Sequence, residues 1–167
     1  MYVHDNLLSD EKIIYWTRPH WIIFFTPLMV FIFAVLVLIY GDNFLQLGLR
    51  IFDLELNELV SLVFFLIAVI YGIGAFIRYS TSEYAVTNKR ILMKTGWISR
   101  NVLELFLTKI EALHVQQTIL GRILNYGTLI IVGTGGTKDP LPYVPEPLNF
   151  RKVTQFEVDR ITSQTGN

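Results

Sequence analysis

The sequence changes character within residues 78–97, which read RYSTSEYAVTNKRILMKTGW. Before this stretch the chain contains long uncharged runs typical of segments in lipid, and after it the chain contains short β-forming runs separated by polar turns. Within it, Tyr84 and Val86, the polar pair at 88–89 and the apolar run at 91–93 predict a strand, a turn and a second strand. The stretch therefore joins a membrane part to a water-soluble part, and we expect the soluble part to carry the function.

Two uncharged runs precede this junction. Residues 21–40 form 20 consecutive uncharged residues, and residues 59–77 form 19. At about 1.5 Å of rise per residue, a helix of either length crosses the roughly 30 Å hydrocarbon core of a bilayer. The first run is too long for a signal peptide, and no small-residue cleavage site follows it. The sequence therefore predicts a hairpin of two transmembrane helices joined by a connector at residues 41–58.

The ends of these runs carry residues that favour the membrane interface. His20, Trp21 and Tyr40 flank the first run, and Arg78 ends the second. Aromatic side chains are enriched at this depth, so we predict that these residues anchor the hairpin at the bilayer surface. The connector holds one basic residue, Arg50, against five near the other ends of the helices. The positive-inside rule therefore predicts that both termini lie in the cytoplasm.

Two features of the membrane part predict contacts beyond its individual helices. Ala68, Gly72 and Ala75 recur on one side of the second run, which favours close approach of another helix, either the first span or a helix of a neighbouring subunit. In the connector, 8 of the 13 residues from Phe44 to Leu56 are large and apolar. Such a segment is expected to lie in the membrane interface, to extend the second helix or to contact another subunit.

The water-soluble part has the pattern of a small β domain. Residues 1–20 contain a predicted strand at 12–18, whose partner must lie in the C-terminal part of the chain. Further strands are predicted at 83–87, 90–94, 97–106, 112–116 and 127–133, with turns at 88–89, 95–96 and 134–138. Short strands at this spacing predict an antiparallel sandwich or barrel.

The C-terminal part of this domain is predicted to be helical. Four prolines between residues 140 and 147 exclude a central strand there. Asn149 is expected to cap a helix that starts at Phe150, and Phe150, Val153 and Ile161 give that helix an apolar side to cover an open end of the sheet. The predicted domain covers residues 78–163, and residues 164–167 form a tail.

An ordered set of short motifs resembles a known family. The set consists of residues 81–97, Lys109-Ile-Glu111, Val115-Gln-Gln117, Leu120-Gly-Arg122, Tyr126-Gly-Thr128, Gly133-Thr-Gly-Gly136 and Thr17-Arg-Pro-His20. It resembles the bacterial pleckstrin-homology-like (YdbS-type) membrane proteins over nearly the whole chain apart from the connector. The resemblance implies a split barrel with a C-terminal helix, located at the bacterial inner membrane, and it implies no particular activity.

The sequence predicts no enzymatic chemistry. It contains no cysteine, and its histidines, His4, His20 and His114, have no metal-ligand spacing. The glycine-rich residues 133–138 lack the third glycine and the following helix of a dinucleotide site, and they lack the lysine-serine or lysine-threonine ending of a phosphate loop. A hairpin end is the better interpretation. We therefore predict no catalytic residue, no cofactor and no metal.

The charge balance argues against nucleic acid as a partner. The formal net charge is zero, and residues 79–167 carry 10 basic against 7 acidic residues. This excess is too small to indicate nucleic acid. Lys89 and Arg90 are candidate contacts for lipid headgroups or for a partner. Strand direction, however, places that turn away from the bilayer and returns Trp97 towards it, so Trp97 is a further predicted interface anchor.

The resulting functional hypothesis is a membrane-anchored, non-catalytic module for protein interaction and assembly. It is expected to contact membrane lipid, to self-associate as a homo-oligomer and to be able to bind other membrane proteins. The alternative is a lipid-binding or lipid-handling module with a basic or apolar pocket at bilayer level. A transporter subunit is disfavoured because neither span carries an ionisable residue.

Overall fold

The computed structural model describes residues 3, 6–44, 50, 51, 54–96 and 101–165. The chain divides into two compact units, and the boundaries between them lie after residue 20 and after residue 77. We call residues 21–77 the helical hairpin and the remainder the β domain. The β domain consists of two separate segments of the chain because the hairpin is inserted after its first strand.

The hairpin contains two long apolar helices. A 3-10 turn at Trp21–Phe24 leads into α1 (Phe25–Phe44), and α2 runs from Leu56 to Thr81. Both helices are long and apolar enough to cross a membrane, with mean hydropathies of 3.0 and 2.6 in their most apolar windows. Only 17% of each window is buried, and large side chains such as Ile39 and Ile70 are exposed. Most of the apolar surface of these two helices is therefore exposed within the single chain.

The two helices contact each other side by side. The Ser61 hydroxyl donates a hydrogen bond of 2.9 Å to the carbonyl of Ala34. The rings of Phe33 and Phe64 meet edge to face, with centroids 4.9 Å apart. These contacts join the middle of α1 to the first half of α2, whereas Pro27 near the start of α1 lies beside Gly72 in the second half of α2, so the helices run antiparallel.

Both helices extend beyond the predicted spans. α1 continues past Tyr40 to Phe44, and α2 begins at Leu56 rather than at residue 59 and continues past Arg78 to Thr81. Part of the predicted connector therefore extends the helices. The structure also describes two short antiparallel strands there, β2 (Arg50–Ile51) and β3 (Leu54–Glu55), whereas residues 45–49, 52 and 53 lie outside the described residues.

The first sheet of the β domain has four antiparallel strands in the order β1-β4-β5-β6. These are β1 (Ile13–Thr17), β4 (Glu83–Thr87), β5 (Arg90–Thr95) and β6 (Asn101–Phe106). Trp16 pairs with Ala85, which confirms that the N-terminal strand has its partner in the C-terminal part of the chain. Every residue of β4 is buried. This strand is covered on both faces because Tyr84 and Val86 enter the main core, while Ala85 packs against Val3.

The second sheet has three antiparallel strands in the order β7-β8-β9. These are β7 (Ile110–Gln116), β8 (Tyr126–Gly133) and β9 (Lys138–Pro145), with the short helix α3 (Ile119–Ile123) between β7 and β8. Alternate residues of β8 are buried, as expected for a strand with one face on the core. The turn between β8 and β9 occupies residues 134–137, which confirms the predicted hairpin end.

Both sheets and the C-terminal helix α4 (Pro147–Thr165) contribute to one main core. Its fully or nearly fully buried members are Tyr84, Val86, Ile91, Leu107, Leu113, Leu129, Ile131, Leu141, Val144 and Phe150. Phe150 is completely buried, and its ring meets the edge of Tyr15 with centroids 5.4 Å apart. The predicted mainly-β domain closed by a C-terminal helix is therefore confirmed.

Three details differ from the sequence prediction. The proline-rich segment forms the edge strand β9, which satisfies the exclusion of a central strand but was not predicted as a strand. α4 begins at Pro147 rather than at Phe150, because proline suits the first turn of a helix, and Asn149 lies inside the helix. The helix α3 was not predicted. Of the predicted strand at 97–106, residues 97–100 lie outside the described residues.

Phe150 and Phe156 provide a matched test of this core. Replacing the fully buried Phe150 with alanine is expected to cost about 3–5 kcal/mol of unfolding free energy, because it removes a large core side chain and leaves a cavity. Phe156→Ala, on the same helix but 68% exposed, should change it by less than about 0.5 kcal/mol. Urea unfolding of the full-length protein in detergent measures both values, and equal costs would contradict the described core.

Candidate interaction surfaces

The small-residue face of α2 is used inside the hairpin. A Cβ atom added at Gly72 would lie 3.9 Å from the Cβ atom of Pro27 in α1. Ala68 and Ala75 are each only 6% exposed. In the structure this face packs against the first span, and its contact with a neighbouring subunit stays a prediction.

The residues predicted to anchor the hairpin lie at the ends of its helices. Trp21 and Tyr40 are 56% and 53% exposed, so both rings are accessible. Arg78 is exposed in the last turn of α2. Trp97 lies outside the described residues. Their role as interface anchors stays a prediction.

Arg90 is buried in a cluster of charged and polar groups. Its Nε and Nη2 atoms each donate a hydrogen bond of 2.9 Å to the carboxylate of Glu11, and Nη1 donates to Glu104. Nη2 also donates to the carbonyl of Asn6 at 2.9 Å. Arg90 is 5% exposed and Glu11 is 7% exposed. The prediction that Arg90 contacts headgroups or a partner is therefore wrong, because its guanidinium binds groups within the domain.

The neighbouring residues of the same turn hold the N-terminal segment as well. The Lys89 ammonium donates a hydrogen bond of 2.6 Å to the carbonyl of Ser9. Asn88 donates through Nδ2 to the carbonyl of Asp10 and accepts through Oδ1 from the backbone N–H of Lys12, at 3.1 and 2.8 Å. The basic turn therefore holds residues 9–12 of the same chain. We call these contacts, together with those of Arg90, the clasp. A further contact from Lys89 to a partner stays a prediction.

The Glu11 carboxylate is the centre of this clasp. The Thr87 hydroxyl and the Leu8 N–H each donate a hydrogen bond of 2.7 Å to it, in addition to the two bonds from Arg90. Burial acts to raise the pKa of Glu11, but the hydrogen bonds from Arg90, Leu8 and Thr87 and the charge of Arg90 outweigh burial and lower the pKa. Glu11 is therefore ionised at neutral pH, when it accepts every one of these bonds.

His20 joins the β domain to the start of the hairpin sequence. Its backbone N–H donates a hydrogen bond of 2.6 Å to the carbonyl of Tyr143, and its ring stacks on Tyr126 with centroids 5.3 Å apart. Tyr143 lies where the β8–β9 register shifts and has a φ of 55°, a strained value for an aromatic residue. Burial lowers the pKa of His20, which favours the neutral imidazole. The irregular part of β9 thus holds the residue that directly precedes the 3-10 turn leading into α1.

A cavity of about 320 Å³ adjoins these aromatic residues. It is lined by Gln116, Thr118, Tyr126, Gly127, Thr128, Pro142 and Tyr143. None of these lining residues carries a formal charge, so the cavity suits an uncharged group better than a phosphate. Among the residues that the structure describes, no three histidine, cysteine, aspartate or glutamate side chains are placed to hold a metal ion.

Two groups of large apolar side chains on the β domain are exposed. On α3, Ile119, Leu120 and Ile123 are 80%, 59% and 73% exposed. On the edge strand β6, Val102 and Phe106 are 38% and 48% exposed. The sequence predicted no role for either group. Thr118 before the apolar residues of α3 is a helix-capping signal that would have indicated the helix.

Two antiparallel sheets around one core, closed by a C-terminal helix, define a PH-like domain. The model of the bacterial PH domain family matches residues 25–157, a range that starts in α1 and ends in α4. The chain therefore belongs to the bacterial PH domain family. Comparison with curated proteins gives no match. The solved structure of the Vps36 N-terminal PH domain is similar at 16% identity, over 52% of this chain and 68% of that chain, with a TM-score of 0.40.

The buried ion pair leads to a stability prediction. Arg90→Leu should cost about 3–5 kcal/mol, because it leaves the buried carboxylate of Glu11 without its cation. Arg151→Leu, which removes an exposed arginine from α4, should change the unfolding free energy by less than about 0.5 kcal/mol. Adding Glu11→Leu to Arg90→Leu should recover part of the loss, since no unpaired charge then remains buried. Equal stability of the two single variants would contradict the described clasp.

The lowered pKa of Glu11 predicts a pH dependence with a definite sign. A carboxyl whose pKa is lower in the folded state stabilises the fold above its unfolded value, here about 4.5, and loses this contribution as the pH falls through the folded pKa. At neutral pH the unfolding free energy of wild type should therefore exceed that of Glu11→Gln by a constant margin. This margin should shrink below about pH 4.5. Thermal unfolding of both proteins across this range measures the margin, and a margin that grows on acidification would contradict the assignment.

Proposed function

We propose that the protein is a membrane-anchored PH-like module that does no catalysis and instead binds proteins, including a second copy of itself. In this proposal the hairpin crosses the bacterial inner membrane and both termini lie in the cytoplasm. The uncovered apolar surface of α1 and α2 supports the crossing. The distribution of basic residues, one in the connector against five near the other helix ends, supports the orientation.

The edge strand β6 is the observation that favours an interaction module. β6 pairs with β5 along all of its residues, and no strand lies on its other side in the described part of the chain. Val102 and Phe106 project from the same face of this edge and are exposed. An edge strand with exposed apolar side chains can accept another strand, whereas the prolines of β9 obstruct such pairing at the edge of the other sheet.

A second copy of the same strand fits this edge. Antiparallel pairing of two β6 strands about a twofold axis at Glu104 sets Val102 of one copy opposite Phe106 of the other. It also brings the two Glu104 side chains together. Their repulsion is reduced because each Glu104 already accepts a hydrogen bond from the buried Arg90 of its own chain. Self-association through β6 is therefore compatible with the charges at this edge.

The oligomeric state provides the test. Wild type in detergent should have the mass of a dimer by light scattering, and the double substitution Val102→Ser/Phe106→Ser should shift it towards a monomer. Phe156→Ser is the matched control, because it removes an exposed apolar side chain from α4 instead. A wild-type monomer at every concentration would exclude self-association, and a double variant that remains dimeric would exclude β6 as its site.

A lipid-binding module is the second candidate, and the cavity beside His20 favours it. Its uncharged lining fits a neutral or zwitterionic lipid group rather than an anionic one. Thr128→Phe would fill the cavity from β8. Mass spectrometry of lipids that co-purify with wild type and with this variant separates the two candidates, since a lipid retained by wild type and lost from the variant would favour lipid binding.

A further inference from the structure

The short helix α3 has its smallest residue towards the protein and its largest residues towards the outside. Gly121 is buried, and a Cβ atom at this position would lie 2.7 Å from the carbonyl oxygen of Tyr126. Ile119, Leu120 and Ile123 point away from the domain and are 59–80% exposed. In water this arrangement is unfavourable. The three large apolar side chains stay hydrated, whereas the buried Gly121 has no side chain to add to the core of the domain.

The domain nevertheless holds α3 in a defined position. The Thr118 hydroxyl accepts a hydrogen bond of 3.0 Å from the N–H of Gly121 and so caps the helix. The Gln117 side chain donates to the carbonyls of Gly121 and Tyr126, at 3.3 and 3.0 Å. The exposed isoleucines and leucine therefore lie on a fixed helix rather than on a loose loop.

α3 lies close to the residue that leads into the first apolar helix. It packs against Tyr126, and the ring of Tyr126 stacks on His20, whose next residue starts the hairpin sequence. The first turn of α4 lies at this same end of the β domain, since a Cβ atom at Gly127 would lie 3.2 Å from Pro147. A further large apolar side chain, Leu148, is 59% exposed there.

We infer that α3 inserts its apolar side chains into the bilayer that the hairpin crosses. The inference rests on the proposed membrane anchoring, because the short connection through His20 then requires this end of the domain to be near the bilayer. Ile119, Leu120 and Ile123 enter the acyl boundary, and the exposed Arg122 on the same helix remains at the level of the phosphates. The occupant of this apolar surface is phospholipid, and α3 is a third attachment of the β domain in addition to its two chain connections.

Single-cysteine probes can locate α3, since the natural chain has no cysteine. Ile119→Cys and Ile123→Cys in the full-length protein are labelled with an environment-sensitive fluorophore and reconstituted in phospholipid nanodiscs. Quenching by doxyl lipids is compared with quenching by aqueous iodide. Phe156→Cys is the control for an exposed apolar position elsewhere on the domain, and Ile70→Cys in α2 reports whether the hairpin is in lipid.

Probes at 119 and 123 should be quenched several-fold more by doxyl lipid than the probe at 156. If they respond to iodide as the probe at 156 does, while the probe at 70 responds to lipid, then the insertion of α3 is overturned and the membrane anchoring stands. If 119 and 123 are shielded from both quenchers, a protein covers α3 and the inference is also overturned. A probe at 70 that is not quenched by lipid would exclude the anchoring itself, and with it the insertion.

Discussion

The ion pair between Glu11 and Arg90 joins two parts of the β domain that are far apart in sequence. Glu11 precedes the hairpin and Arg90 follows it, so the pair and the adjacent β1–β4 ladder close the domain across the inserted helices. Buried charges are costly unless each finds its partner. The pair is therefore satisfied only when both chain segments are in place, which makes the N-terminal segment an integral part of the fold.

The hairpin reduces the entropic cost of this long-range closure. A flexible insertion would leave the two ends free, and bringing them together would cost conformational entropy. The contacts between α1 and α2, including Ser61 with Ala34 and Gly72 with Pro27, instead hold the helices side by side and antiparallel. Residues 21 and 77 then lie at the same end of the hairpin. The small residues of α2 lie within this pairing.

The sequence was sufficient for elements whose pattern is local and insufficient for contacts that depend on the fold. Uncharged length predicted the two apolar helices, and short β-forming runs between polar turns predicted β4, β5, β7 and β8. The strand β9 was missed because its prolines are tolerated only at a sheet edge, and no local pattern distinguishes an edge from a loop. Arg90 was misinterpreted for a similar reason. Its charge predicts solvent exposure, and only the fold brings Glu11 and Glu104 to it.

The chain connections between the helical hairpin and the β domain are short. Ser82 is the only residue between α2 and β4, and His20, which is hydrogen-bonded to β9, directly precedes the 3-10 turn that leads into α1. Both connections therefore consist of very few residues. Because the basic turn at 88–90 binds the protein's own N-terminal segment, recognition of a partner would then depend on which sheet edge is left accessible rather than on a cluster of charge.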